Sequence, residues 1–138
     1  MNEEIDFRFL KEQLLKELSQ PCEIRKSWDG AEIFEAGNPP EVVVRFTPFE
    51  IQVYRPSYYW RDPAVRMSDP QLLGTVYLQQ LDNTVTALII CQSLINCARE
   101  QRRESFRKCR FCGETFGPEG GDDDVCHGCE ERYLFIVH

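Results

Sequence analysis

Four cysteines stand as two C-x-x-C pairs, Cys109/Cys112 and Cys126/Cys129, with thirteen residues between the pairs, near the end of a 138-residue chain. Four thiolates are the tetrahedral set that a structural Zn²⁺ takes, with Zn–S bonds of about 2.3 Å. Two residues inside each pair let a tight turn aim both sulfurs at one ion. Gly113, directly after the first pair, suits the positive φ of such a turn, and Gly128 offers the second pair similar freedom. The spacer carries Gly117-Pro118, Gly120-Gly121 and the acidic run Asp122-Asp123-Asp124. That composition suits a hairpin returning the chain to the metal, although paired cysteines of this kind are usually separated by about 15–20 residues. The pattern predicts one structural zinc on Cys109, Cys112, Cys126 and Cys129. Four protein ligands leave no position for substrate water, so the ion is expected to supply folding energy and not catalysis.

The other three cysteines, Cys22, Cys91 and Cys97, stand alone and read as small buried hydrophobes. Seven is an odd count, and the first twenty residues are charged throughout, unlike a signal peptide. An intracellular, cytoplasmic setting is therefore expected, where clustered cysteines hold metal. No run of eighteen apolar residues exists, so no membrane span is expected. No phosphate loop, H-E-x-x-H or G-x-S-x-G is present, and no catalytic residue is assigned. His127, between the second-pair cysteines, reads as a solvent-facing bystander, and His138 is terminal.

The order of these residues resembles the treble-clef family of zinc fingers. A C-x-x-C-G knuckle (Cys109, Cys112, Gly113) opens the unit, and the second pair (Cys126, Cys129) leads into Glu130-Glu131. The resemblance covers roughly the last thirty residues. It implies a hairpin between the pairs and a helix opened by the second. Some treble-clef nucleases carry a catalytic His between the pairs; residues 113–125 contain none. A zinc ribbon, with the β-prone Leu134 to Val137 as a strand, is the other reading of the same residues.

The elements that must position this module read as α+β. Apolar residues at three-to-four spacing predict a helix over 3–19, ended by Pro21. Short β-prone runs punctuated by Asp29-Gly30, Gly37-Asn38-Pro39-Pro40 and Thr47-Pro48 predict four antiparallel strands at 22–28, 31–36, 41–47 and 49–55. Residues 56–70, with Pro56, Pro63 and Pro70, read as a loop. Asp69 as N-cap and Pro70 at the first helical position predict a short helix over 69–80. Asp82 or Asn83 caps a longer helix reaching about residue 107, with Val85, Leu88, Ile89, Cys91, Gln92 and Ile95 as its apolar face. The chain thus divides into 1–60, an N-terminal helix on a small antiparallel β-meander; 61–108, a linker and two helices packed on it; and 109–138, the Cys₄ finger.

Two further features could contact a partner. Tyr58, Tyr59 and Trp60 are consecutive, and aromatic residues and arginine are enriched at binding hot spots. Arg99, Arg102, Arg103, Arg107, Lys108 and Arg110 place six cations against Glu100 and Glu104, whereas 111–138 carries seven carboxylates against Arg132. The net charge of −7 argues against a chain whose whole surface clamps nucleic acid. The expected function is a non-enzymatic zinc-binding adaptor or regulator with a protein partner. A nucleic-acid-associated regulator using the finger and the basic helix end is one alternative, and a small enzyme or zinc-linked thiol redox switch is another.

Overall fold

The computed structural model describes residues 5–62 and 65–133. Leu134 to Val137, His138 and Pro63 lie outside the described residues, as do the first two residues of the expected N-terminal helix. The fold is α+β. Helix α1, Phe7–Glu17, is capped by Asp6, whose side chain accepts from Phe9 N–H at 3.0 Å. Strands β1 (Cys22–Lys26), β2 (Glu32–Gly37), β3 (Pro40–Phe46) and β4 (Glu50–Arg55) follow as an antiparallel meander, close to the expected boundaries. The Asp29-Gly30 turn closes on Ser27 N–H to Ala31 O at 2.8 Å.

Residues 56–70 are not a loop. They contain β5 (Tyr58–Asp62) paired antiparallel with β6 (Val65–Ser68). Nor is 69–80 a helix: β7 (Gln71–Tyr77) pairs with β4 as the fifth strand of the sheet, in the order β1-β2-β3-β4-β7, and only Leu78–Gln80 turn as 3₁₀. The Asp69-Pro70 cap signal is outweighed because Leu72, Thr75, Val76 and Tyr77 are good strand formers with an open sheet edge beside them. The register explains the arrangement. Tyr54 pairs with Leu72 and Arg55 with Gln71, then Tyr58 pairs with Ser68 and Tyr59 with Met67. The numbering runs on without a shift across the gap and sets Pro56 opposite Pro70. β4–β5 and β6–β7 are therefore the two arms of one long ribbon. Two prolines on one rung remove ladder N–H groups from both arms, so the ribbon divides there into a base in the sheet and a separate tip.

Helix α2, Thr84–Glu104, is capped by Asn83, which accepts from Thr86 N–H at 2.8 Å. It lies with α1 on one face of the sheet. Leu10 and Leu14 of α1 and Cys91 and Ile95 of α2 share a core with Phe46, Ile51 and Val53 of the strands. Gln52, Thr75 and Tyr54 hydrogen-bond along the opposite, polar face. The buried stripe of α2 is Ala87, Cys91, Ile95, Ala98 and Arg102, whereas Val85 and Ile89 are 63% and 56% exposed. The expected face is thus wrong at those two positions. Residues 87–91 are all apolar and point in every direction around the helix, so their periodicity cannot orient it. The small residues Ala87 and Ala98 set the close contact, and Gly74 of β7 does the same from the sheet: a Cβ there would meet Leu94 Cδ2 at 2.9 Å.

After α2, which ends earlier than residue 107, come β8 (Arg107–Lys108), β9 (Thr115–Phe116), a 3₁₀ turn at Pro118–Gly120, β10 (Gly121–Asp122), β11 (Val125–Cys126) and α3 (His127–Tyr133). This segment has its own small core of Cys109, Phe116, Val125 and Cys129. No helix among the described residues is long and apolar enough to cross a membrane. The orientation of α2 can be checked by denaturant unfolding. Ile95→Ala is expected to destabilise the chain by about 2–5 kcal/mol, because it opens a cavity. Ile89→Ala is expected to shift stability by no more than about 0.5 kcal/mol.

Candidate metal centre

Strands β8 and β9 pair antiparallel and carry the first cysteine pair in the turn between them. Cys109 N–H donates to Glu114 O and Gly113 N–H to Cys109 O, both at 2.8 Å. Gly113 has φ +76°, with open space where a Cβ would lie, so the backbone conformation alone selects glycine here. The second pair is delivered by a strand-to-helix junction: Cys126 ends β11 and Cys129 lies in the first turn of α3. Gly128 sits inside that helix without a positive φ, so the freedom expected of it goes unused.

These two turns bring all four Sγ atoms within 4.8 Å of one another. Cys112 Sγ and Cys126 Sγ are 3.8 Å apart. Metal–sulfur bonds of about 2.3 Å in a tetrahedron require sulfur–sulfur edges of about 3.8 Å, so the cluster could hold one metal ion with little rearrangement. Its electrostatics also fit a cation. Burial works against ionising Cys109, but the backbone N–H groups of Cys126, Cys112 and Phe111 outweigh it and bring the thiol down to about 6. Cys129 is pushed up to about 12, first by burial and then by the other three sulfurs. One thiolate forms readily, and its charge opposes the next; a divalent ion at the centre removes that conflict.

Of the arginines expected as a basic patch, Arg99 and Arg102 are drawn into the molecule, and Arg103 pairs with a buried carboxylate while its own side chain stays exposed. Arg102 continues the buried stripe of α2 and pairs with Glu119 of the 3₁₀ turn, their side chains 5% and 6% exposed. Its Nε also donates to Pro40 O at 2.9 Å, and its guanidinium lies 5.4 Å from the Tyr58 ring and 5.2 Å from the Phe106 ring. Gly117 makes room for this pair: a Cβ there would meet both Glu119 carboxylate oxygens at 2.7 Å and Arg102 Nη2 at 2.9 Å. Arg99 and Arg103 converge on buried Glu41, at 3.2 and 2.9 Å. Burial would raise the Glu41 carboxyl, but Ser19, Arg103 and Arg99 hold it below its ordinary value. Arg107 is exposed and donates to Glu104 O and Phe106 O.

The aromatic triplet lies at the ribbon tip, against the cysteine module. Trp60 Nε1 donates to Glu119 O at 3.1 Å, and its ring is 6.0 Å from that of His127. Tyr58 is half-buried under Arg66, 4.5 Å from its ring, and burial followed by the nearby Glu35 carboxylate raises its phenol. Tyr59 and Trp60 remain 52% and 44% exposed. Between the tip, the β2–β3 turn and the module lies a groove of about 490 Å³, lined by Asn38, Pro39, Trp60, Arg66, Phe116 and His127 among others. Glu119 carries no signal in the sequence, because Gly117-Pro118-Glu119-Gly120-Gly121 has the composition of an ordinary loop. His127 is half-buried against Trp60 and not a solvent-facing bystander.

The Arg102–Glu119 contact can be tested by a mutant series. Glu119→Ala leaves a buried cation and is expected to cost about 3–5 kcal/mol by denaturant unfolding, most of which Arg102→Leu in the same chain should restore. An additive double variant would show that the two side chains do not act as a pair.

The chain matches no protein-family model, no curated protein and no solved structure.

Proposed function

We propose that the chain is a non-enzymatic, zinc-stabilised interaction protein, an adaptor or regulator that works in a reducing intracellular setting. Its Cys109, Cys112, Cys126 and Cys129 hold one structural Zn²⁺. The observation that carries this function is the double use of Glu119: its carboxylate meets buried Arg102 and its carbonyl accepts from Trp60. Ordering of the cysteine module therefore orders the ribbon tip, and Tyr59 and Trp60 become the protein-binding face, with the adjoining groove beside them. Within this proposal the module is of treble-clef type. Support comes from the knuckle at the first pair, the β10–β11 hairpin after it and the opening of α3 at the second pair.

A nucleic-acid role draws support from Arg107, Lys108 and Arg110, which are exposed on the knuckle, although Arg110 lies 3.8 Å from Asp124. The internal pairing of Arg99, Arg102 and Arg103 leaves fewer cations for phosphate, so a protein partner is favoured.

Elemental analysis is expected to find one zinc per chain. Cys112→Ser should lose it and collapse the amide NMR dispersion of residues 107–133 while the α1–sheet–α2 core persists. A zinc-free chain with the same dispersion would refute the metal assignment. For the partner, affinity capture from the source cell is expected to retain a defined protein after nuclease treatment and to lose it with Tyr59→Ala. Capture abolished by nuclease, with affinity falling steeply as salt rises, would transfer the function to nucleic acid.

A further inference from the structure

A second group of metal-ligating side chains adjoins the cysteine cluster without sharing a residue with it. Asp122 of β10 and His127 and Glu130 of α3 bring one ligand atom each within 4.8 Å of the others. His127 and Glu130 are three apart on a helix, so they share a face, and Asp122 approaches that face from the hairpin. Glu130 is 2% exposed and accepts the Asp122 N–H at 3.0 Å, which ties the hairpin to the helix and fixes the carboxylate. Asp122 is exposed, and His127 also lines the groove beside Trp60. The group is therefore buried at one end and open to exchange at the other.

We infer that Asp122, His127 and Glu130 form a second, open binding site for a divalent transition ion at the edge of the Trp60 groove. One neutral imidazole and two carboxylates carry a formal −2 and suit hard-to-borderline ions, from Mn²⁺ through Fe²⁺ and Co²⁺ to Zn²⁺, better than a thiolate-seeking ion. Ligand bonds of about 2.0–2.2 Å place donor atoms about 3–3.5 Å apart, so the group closes on an ion by small side-chain rotations. A neighbouring zinc tetrathiolate would itself carry a net −2, which attracts a second cation. Three protein ligands leave at least one position for water or an exogenous ligand, in contrast to the closed four-cysteine set. That ligand would enter from the groove, past His127.

The test uses the zinc-loaded full chain and Mn²⁺ as probe, because Mn²⁺ competes poorly for thiolates and its free form is counted directly by electron paramagnetic resonance. One Mn²⁺ per chain is expected to bind with the zinc content unchanged. Asp122→Asn and His127→Ala should weaken that binding by about ten-fold or more. Glu130→Gln keeps an acceptor for the Asp122 N–H while removing the charge, and should weaken it without altering the amide NMR dispersion. Absence of Mn²⁺ uptake at millimolar concentration by zinc-loaded chain, or uptake equal in all three variants, would overturn the second site. A chain that holds no zinc would instead refute the four-cysteine centre, so the two failures are distinct.

Discussion

Arg102 and Glu119 face each other across the boundary between the sheet-and-helix body and the cysteine module, and almost no water reaches either side chain. A buried cation and a buried carboxylate are each costly alone, and together they tolerate little displacement. Everything around them reflects that constraint. Gly117 gives up its side chain so that the carboxylate can approach. Pro40 offers its carbonyl to the guanidinium Nε–H, and the Tyr58 and Phe106 rings lie against the guanidinium. The apolar stripe of α2 ends in this arginine, so the helix that builds the body's core also fixes where the module sits.

The ribbon tip depends on the same pair. Pro56 and Pro70 interrupt the ladder on both arms at one rung, which frees the tip from the plane of the sheet. Glu119 then receives it through the Trp60 indole. A single short turn thus contacts the body by its side chain and the ribbon by its backbone. An ion on the four cysteines would stiffen that turn from below, since Phe116, Val125, Cys109 and Cys129 share one small core. In the proposed function a closed metal site would thus act on a surface some way from the sulfurs, with no need for an open coordination position.

The elements governed by nearest neighbours were readable in the chain itself. The four strands at 22–55 follow from short β-prone runs between turn residues, and the long helix begins at Asn83, one of its two expected caps, whereas α1 starts at Phe7 behind Asp6, a cap the periodicity did not mark. The candidate metal ligands are readable for a similar reason: the geometry of each C-x-x-C pair is settled within a turn of four residues. Position 69–80 misled because Asp-Pro is a local helix-start signal, while the strand formed there draws its stability from β4, about twenty residues away. Residues 56–70 misled because their prolines look like a loop until pairing shows that Pro56 and Pro70 stand outside β5 and β6.

The sequence alone thus determined the α+β class, the meander and the four clustered cysteines, since turn chemistry, alternation and capping act over a few residues. Only the tertiary structure decided the rest. It turned the basic run inward at Arg99 and Arg102, drew Arg103 onto Glu41, set Trp60 on the cysteine module, exposed Val85 and Ile89, and assembled Asp122 with His127 and Glu130. In each case the deciding energy is burial or pairing with a group distant in sequence or on another element. No local pattern records whether such a partner will arrive.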